Sequence, residues 1–171
     1  NLSCGDIMDG KYVNETQYYD FQKEAIEAIH GKYVGGSLGS ILVLSTGSGK
    51  TLTSIEIARR IGRKCLIVVK TKSLAKQWKD EIDNLFKINC SIISEIKKKD
   101  IPSKFSDDYC ICVRNSLIGK KFIPSQFHGF GTVIIDEVHG IMSEKVLGMF
   151  GLISRKFIIG ITATPKVASG L

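Results

Sequence analysis

The run Ser45-Thr46-Gly47-Ser48-Gly49-Lys50-Thr51 gathers residue types that hold phosphate. Glycine lets the backbone turn tightly and approach a ligand, so the N–H groups of Gly47, Ser48 and Gly49 can wrap an anion. Lys50 can reach the β- and γ-phosphates of a nucleotide, and the Thr51 hydroxyl can ligate Mg2+. The complete phosphate-loop pattern is G-x-x-x-x-G-K-[ST]. Leu44 stands where its first Gly would be. The bland alternative is an ordinary turn between a strand and a helix, which a Gly-x-Gly-Lys-Thr run at such a junction disfavours.

A second group lies far along the chain. Asp136 and Glu137 follow the apolar run "TVII", and His139 comes two positions later. An acid at a strand tip beside a phosphate loop is the usual second anchor for Mg2+. Glu137 can take a proton from an attacking water as general base. His139 can reach toward the γ-phosphate region or a neighbouring loop. Paired acids at a strand end are common by themselves but rare beside a phosphate loop.

The elements that must position these residues are legible as patterns. Phe21, Ala25, Ala28 and Ile29 recur at helical spacing from Asp20, with Gly31 as a stop. "ILVL" (41–44) reads as a buried strand, followed by a helix over 50–61 closed by Gly62. "CLIVV" (65–69) is a second buried strand. Leu74, Trp78, Ile82 and Leu85 then mark an amphipathic helix with Ser73 as N-cap. Further strands are predicted at 90–94, 109–113, 132–136 and 157–161, with a charged loop at 95–108 and a helix near 144–150. Continuous apolar strands alternating with helices predict an α/β fold, with a mainly parallel central sheet and helices on both faces. Right-handed crossovers would gather the strand tips on one edge, where ligands bind. Residues 1–16 read as a lead-in, and residues 17–171 as one nucleotide-binding domain.

Composition narrows the class. Of 171 residues, 43% are hydrophobic and 24% charged, ordinary for a globular chain. A net charge of +7 permits nucleic-acid binding without showing it. The five cysteines have no zinc-like spacing and suit an intracellular, reducing compartment such as cytoplasm or nucleus. No apolar run approaches the ~20 residues of a membrane helix, so no membrane partner is expected.

Asp136-Glu137-Val138-His139 resembles the D-E-x-H box of superfamily 2 helicases and translocases. Other segments follow in that family's order. Phe21-Gln22 with Ala25-Ile26 resembles its adenine-reading stretch. "LIVVKTKSLAKQW" (66–78) resembles the motif that grips a nucleic-acid strand, and "GITATP" (160–165) resembles the motif joining the two sites. Members carry their Gly-Lys-Thr after Ala or another non-Gly residue, so Leu44 suits the family. Trp78 and the "ITATPK" ending look most like the branch of the xeroderma pigmentosum B-type, phage recombination and poxvirus transcript-release helicases. Lys outnumbers Arg, 19 to 5, a composition that suits an AT-rich viral genome and, with it, a virion location.

This resemblance implies the first RecA-like domain of a DExH-box helicase that uses ATP and Mg2+ to move along nucleic acid, DNA in preference to RNA. It implies nucleotide contacts from Gln22, Thr46, Gly47, Ser48, Gly49, Lys50 and Thr51, with Mg2+ held by Thr51 and Asp136. Lys50, Asp136, Glu137 and His139 would carry catalysis. Lys70, Thr71 and Arg114 would contact nucleic acid, and Thr162, Ala163 and Thr164 would couple the sites. A second RecA-like domain of the full-length protein would complete the ATP cleft. The departures are Lys70 in place of the usual Pro, Tyr19 in place of an Arg, and Val113 in place of a phosphate-contacting Thr. Lys70 either adds a phosphate contact or ends a strand in solvent, and Phe21 either stacks on adenine or packs in the core. The rival functions are a restriction-type translocase, a chromatin remodeller, a small-molecule kinase and a nucleic-acid-binding module with a dead ATP site.

Overall fold

Six parallel strands order the chain in the sequence β1-β6-β5-β2-β4-β3. They are β1 (Gly39–Leu44), β2 (Cys65–Val69), β3 (Cys90–Ile92), β4 (Tyr109–Val113), β5 (Thr132–Ile135) and β6 (Phe157–Ala163). The structure is a computed structural model that describes residues 5–10, 17–44, 49–86, 88–119, 121–137 and 156–163. Among the described residues the α-helices are α1 (Asp20–Val34), α2 (Lys50–Ile61), α3 (Lys72–Leu85) and the short α4 (Arg114–Ile118).

Strand alternation sends side chains to two cores. Ile67, Val69, Ile111, Ile134, Ile159 and Ile161 meet the buried faces of α1, α2 and α3 on one side. Leu66, Val68, Cys110, Cys112, Val133 and Ile135 meet Leu117 of α4 and the rings of Phe105, Phe122, Phe127 and Phe130 on the other. Branched and apolar residues at every position of β2, β4 and β5 are what a sheet covered on both faces requires.

Several local expectations shift. β1 is not uniformly buried: Leu42 and Leu44 are, but Ile41 and Val43 are 56% and 48% exposed. Among the described residues β1 is an edge strand that pairs with β6 alone; Leu42 and Leu44 face the core while Ile41 and Val43 point to the opposite face. The buried line of α1 is Gln22, Ile26, Ile29 and Tyr33, and the helix runs through Gly31 to Val34 with Gly35 as its cap. Thr71, not Ser73, caps α3; its Oγ1 accepts the Leu74 N–H at 3.1 Å. The third strand ends at Ile92, and a 3-10 turn takes over at Ile93–Glu95. The helix expected near 144–150 lies outside the described residues.

Part of the lead-in is stitched to the end opposite the strand tips. Asp108, fully buried just before β4, accepts the N–H groups of Asp9 at 2.7 Å and Gly10 at 2.9 Å. Ile7 bridges Arg63, and Lys64 Nζ pairs with Asp9 at 3.1 Å. Among the described residues, no helix is long and apolar enough to cross a membrane.

Candidate nucleotide site and strand-tip groove

All six described strands point their C-terminal ends to one edge, and Lys50 and Asp136 meet there. The Lys50 ammonium opens α2 and lies 3.1 Å from Asp136 Oδ1, across 86 residues of sequence. Asp136 directly follows β5, and its N–H continues the ladder by donating to the Val68 carbonyl at 2.9 Å. Between β1 and β5 runs β6, where Val43 and Leu44 of β1 pair with Thr162 and Ala163. The expected coupling segment thus borders both β1 and the strand that Asp136 directly follows. Thr46, Gly47, Ser48, His139 and Thr164 lie outside the described residues.

Gly49 shows why the loop needs glycine at its end. Its φ of +77° is left-handed, and a Cβ there would come 2.6 Å from Gln22 Nε2. Gln22, only 4% exposed, is fixed at both amide atoms. Oε1 accepts the Tyr19 N–H at 2.9 Å, and Nε2 donates to Thr53 Oγ1 at 3.2 Å. The Thr53 hydroxyl in turn donates to the Gly49 carbonyl at 2.9 Å. Gln22 is therefore built against Gly49 and Thr53 at the start of α2. Tyr19 and Phe21 stand exposed beside it with stacked rings, centroids 5.7 Å apart, so Phe21 does not enter the core.

Asp136 is 1% exposed, and its surroundings contain two contacts the sequence patterns did not reveal. The Trp78 indole N–H donates to Oδ2 at 3.0 Å. Arg114, expected at a nucleic-acid surface, is instead 7% exposed and turned inward, its Nη2 donating to the Asp136 carbonyl at 3.4 Å. Trp78 carries the only signal that was available: a helical-face aromatic with one polar atom, which needs a partner when buried. Glu137 follows in the left-handed region at φ +57°, a conformation that costs a side chain about 1–2 kcal/mol.

The donor set fits a hard divalent cation. Thr51 and Asp136 offer oxygen, and the Lys50 ammonium already places positive charge against the carboxylate. Among the described residues, no three His, Cys, Asp or Glu side chains form a metal cage. Mg2+ needs none, since it takes one or two protein oxygens with phosphate and water.

A groove of about 320 Å3 opens beside this site, over the tips of β2 and β4. Lys70, Thr71 and Lys72 line one wall, and Ser94, Asn115 and Ser116 line another. Lys70 and Thr71 are exposed there, at the N-terminus of the 14-residue α3, where backbone N–H groups and the helix dipole favour an anion. Lys97, Lys98 and Lys99 are also exposed, on a separate turn.

A six-stranded parallel sheet flanked by helices, its tips bringing Lys50 against a buried aspartate, has the RecA-like α/β architecture. Residues 15–167 match the family described as Type III restriction enzyme, res subunit. The chain belongs to that family, and thereby to the N-terminal domains of superfamily 2 helicases. It is 33% identical over 157 residues to a candidate ATP-dependent RNA helicase of African swine fever virus, covering 88% of this chain and 30% of that protein. It is also 33% identical over 159 residues to the DNA 3'-5' translocase XPB2 of Sulfurisphaera tokodaii, covering 92% of this chain and 33% of that one. The fold matches the UvsW helicase of bacteriophage T4 with a TM-score of 0.68 at 22% identity, over 96% of this chain and 57% of that one. It matches the SWI2/SNF2 ATPase core of Sulfolobus solfataricus in complex with dsDNA with a TM-score of 0.75 at 19% identity, over 92% and 35%. The chain spans about a third of the length of these two curated relatives.

Proposed function

We propose that this chain is the ATP-binding domain, over residues 17–171, of a motor that couples hydrolysis to movement along nucleic acid, DNA in preference to RNA. The observation that carries the reading is the Lys50–Asp136 contact at the strand tips. In this reading Lys50 binds the β- and γ-phosphates, and the loop around Thr46, Gly47, Ser48 and Gly49 wraps them. Thr51 and Asp136 hold Mg2+, which when bound neutralises phosphate charge. Glu137 accepts the proton of the attacking water, with His139 beside it. Tyr19 and Phe21 offer a flat apolar surface for the adenine, next to Gln22.

The groove lined by Lys70 and Thr71 would take backbone phosphates, with α3 aimed at them. Arg114 acts instead on the Asp136 backbone. Thr162, Ala163 and Thr164 would transmit the state of one site to the other, a role supported by the pairing of β6 with both β1 and β5. A second RecA-like domain would supply arginine to the transferring phosphate, a contribution worth ~10³ or more in rate. This domain alone is then nearly inactive. A reducing intracellular compartment is supported by Cys65, Cys90, Cys110 and Cys112, all free thiols. Duplex translocation without unwinding is the second reading, favoured by the restriction-enzyme description of the family.

The test is ATP turnover by the full-length protein with single-stranded or duplex DNA or RNA, together with strand separation. Stimulation by DNA supports the reading, and strand separation decides between its two forms. Stimulation by RNA alone reverses the polymer assignment. Turnover indifferent to every polymer contradicts the motor function.

A further inference from the structure

The two oxygens of Asp136 have unlike partners. Oδ1 meets Lys50, whose side chain is 37% exposed and can leave for a phosphate. Oδ2 meets Trp78, whose ring is buried between α3 and the sheet and has nowhere to go. Resting on the nucleotide-site reading above, we propose that Trp78 is a positioning residue for the bound divalent cation. Its indole N–H fixes the Asp136 carboxylate so that Oδ1 alone is released toward the metal.

The chemistry of the two groups supports this assignment. The indole N–H is a donor only, and a carboxylate is an acceptor only, so the contact cannot invert. A carboxylate this deeply buried requires partners on both oxygens. When Lys50 turns to a phosphate, the Trp78 bond is what keeps the carboxylate from rotating. A carboxylate held in advance binds a cation without the entropic cost of ordering it. The placement also has reach: Ala75, one turn before Trp78, lines the strand-tip groove, so a single helix touches both sites.

Trp78→Phe keeps a buried ring and removes the donor. The measurement is binding of a fluorescent ATP analogue to the 171-residue chain across a Mg2+ titration, and again in chelator. A charge-assisted hydrogen bond sets the scale, so the half-saturating Mg2+ concentration rises about tenfold, while metal-free affinity stays within about twofold. A purely structural role would lower both affinities together and leave the Mg2+ midpoint in place, and that result overturns the proposal. Trp78 is also the chain's sole tryptophan, so its emission reports on Asp136 directly. Adding Mg2+ to the nucleotide-bound wild type shifts that emission; an unchanged spectrum overturns the proposal even if Trp78→Phe fails to fold. If the wild type binds no nucleotide under any condition, the nucleotide-site reading itself has failed. If it binds with Mg2+ dependence and Trp78→Phe behaves identically, only the role of Trp78 has failed.

Discussion

Gly49→Ala tests the packing of the α2 N-cap against Gln22 through two separable costs. An alanine held at φ +77° loses about 1–2 kcal/mol to left-handed strain. Its Cβ would also sit 2.6 Å from Gln22 Nε2 and must push that amide aside. The amide is the far end of a flexible side chain, so it can move, but it gives up its bonds to Thr53 and Tyr19. Each is worth roughly 0.5–1.5 kcal/mol. The expected total is about 3 kcal/mol, a fall in melting temperature of roughly 6–12 °C for a domain of this size. The assay is thermal unfolding of Gly49→Ala, Gln22→Ala and the double variant. With Gln22 already truncated, Gly49→Ala should cost only the strain, leaving a coupling of about 1–2 kcal/mol between the sites. Equal costs in both backgrounds would refute the steric argument, and an unchanged melting temperature would refute both terms.

Further outcomes follow from the same geometry. Glu137→Gln should retain ATP binding while turnover of the full-length protein falls by about 10²–10⁴; measured turnover near wild type removes Glu137 from the base role. Lys70→Ala should weaken nucleic-acid binding and lower the salt slope by about one, whereas Arg114→Ala should leave that slope unchanged, because its guanidinium faces Asp136. A gel-shift salt series on both variants decides the point. Burial pushes the thiols of Cys65, Cys90, Cys110 and Cys112 up to about 12. Below pH 9 folded and unfolded chains both keep these protons. Between pH 9 and 12 only the unfolded chain releases them, so stability falls as pH rises. Cys112→Ala should flatten that fall in denaturant midpoints, and an unaltered slope would count against the buried-thiol account.

The chemistry was more legible in the sequence than its supports. The meeting of Lys50 and Asp136 at 3.1 Å is legible because a parallel sheet leaves little choice about where its strand tips go. Ile41 and Val43 misled because a continuous apolar run does not say which strand lies at the sheet edge. The α3 cap moved from Ser73 to Thr71 because both hydroxyls satisfy the same local rule, and only the chain path out of β2 chooses between them. Arg114 looked like a surface cation because charge at a strand tip favours solvent. Its inward turn depends on the Asp136 carbonyl, a partner 22 residues away. Asp108 ends a charged, Lys-rich loop, yet it is wholly buried and accepts the backbone N–H groups of Asp9 and Gly10, 99 and 98 residues away in sequence. Such long-range partners leave no periodic trace.

The proposed role of Lys50 and Asp136 is to share a metal-bound nucleotide. The most direct measurement is ATP binding by the wild-type chain, Lys50→Ala and Asp136→Asn, each with Mg2+ and with chelator. Wild type should bind more tightly with Mg2+, Lys50→Ala should lose affinity at least tenfold in both conditions, and Asp136→Asn should lose the Mg2+ enhancement alone. Binding equal to wild type in both variants would make the pair a structural salt bridge and contradict the account.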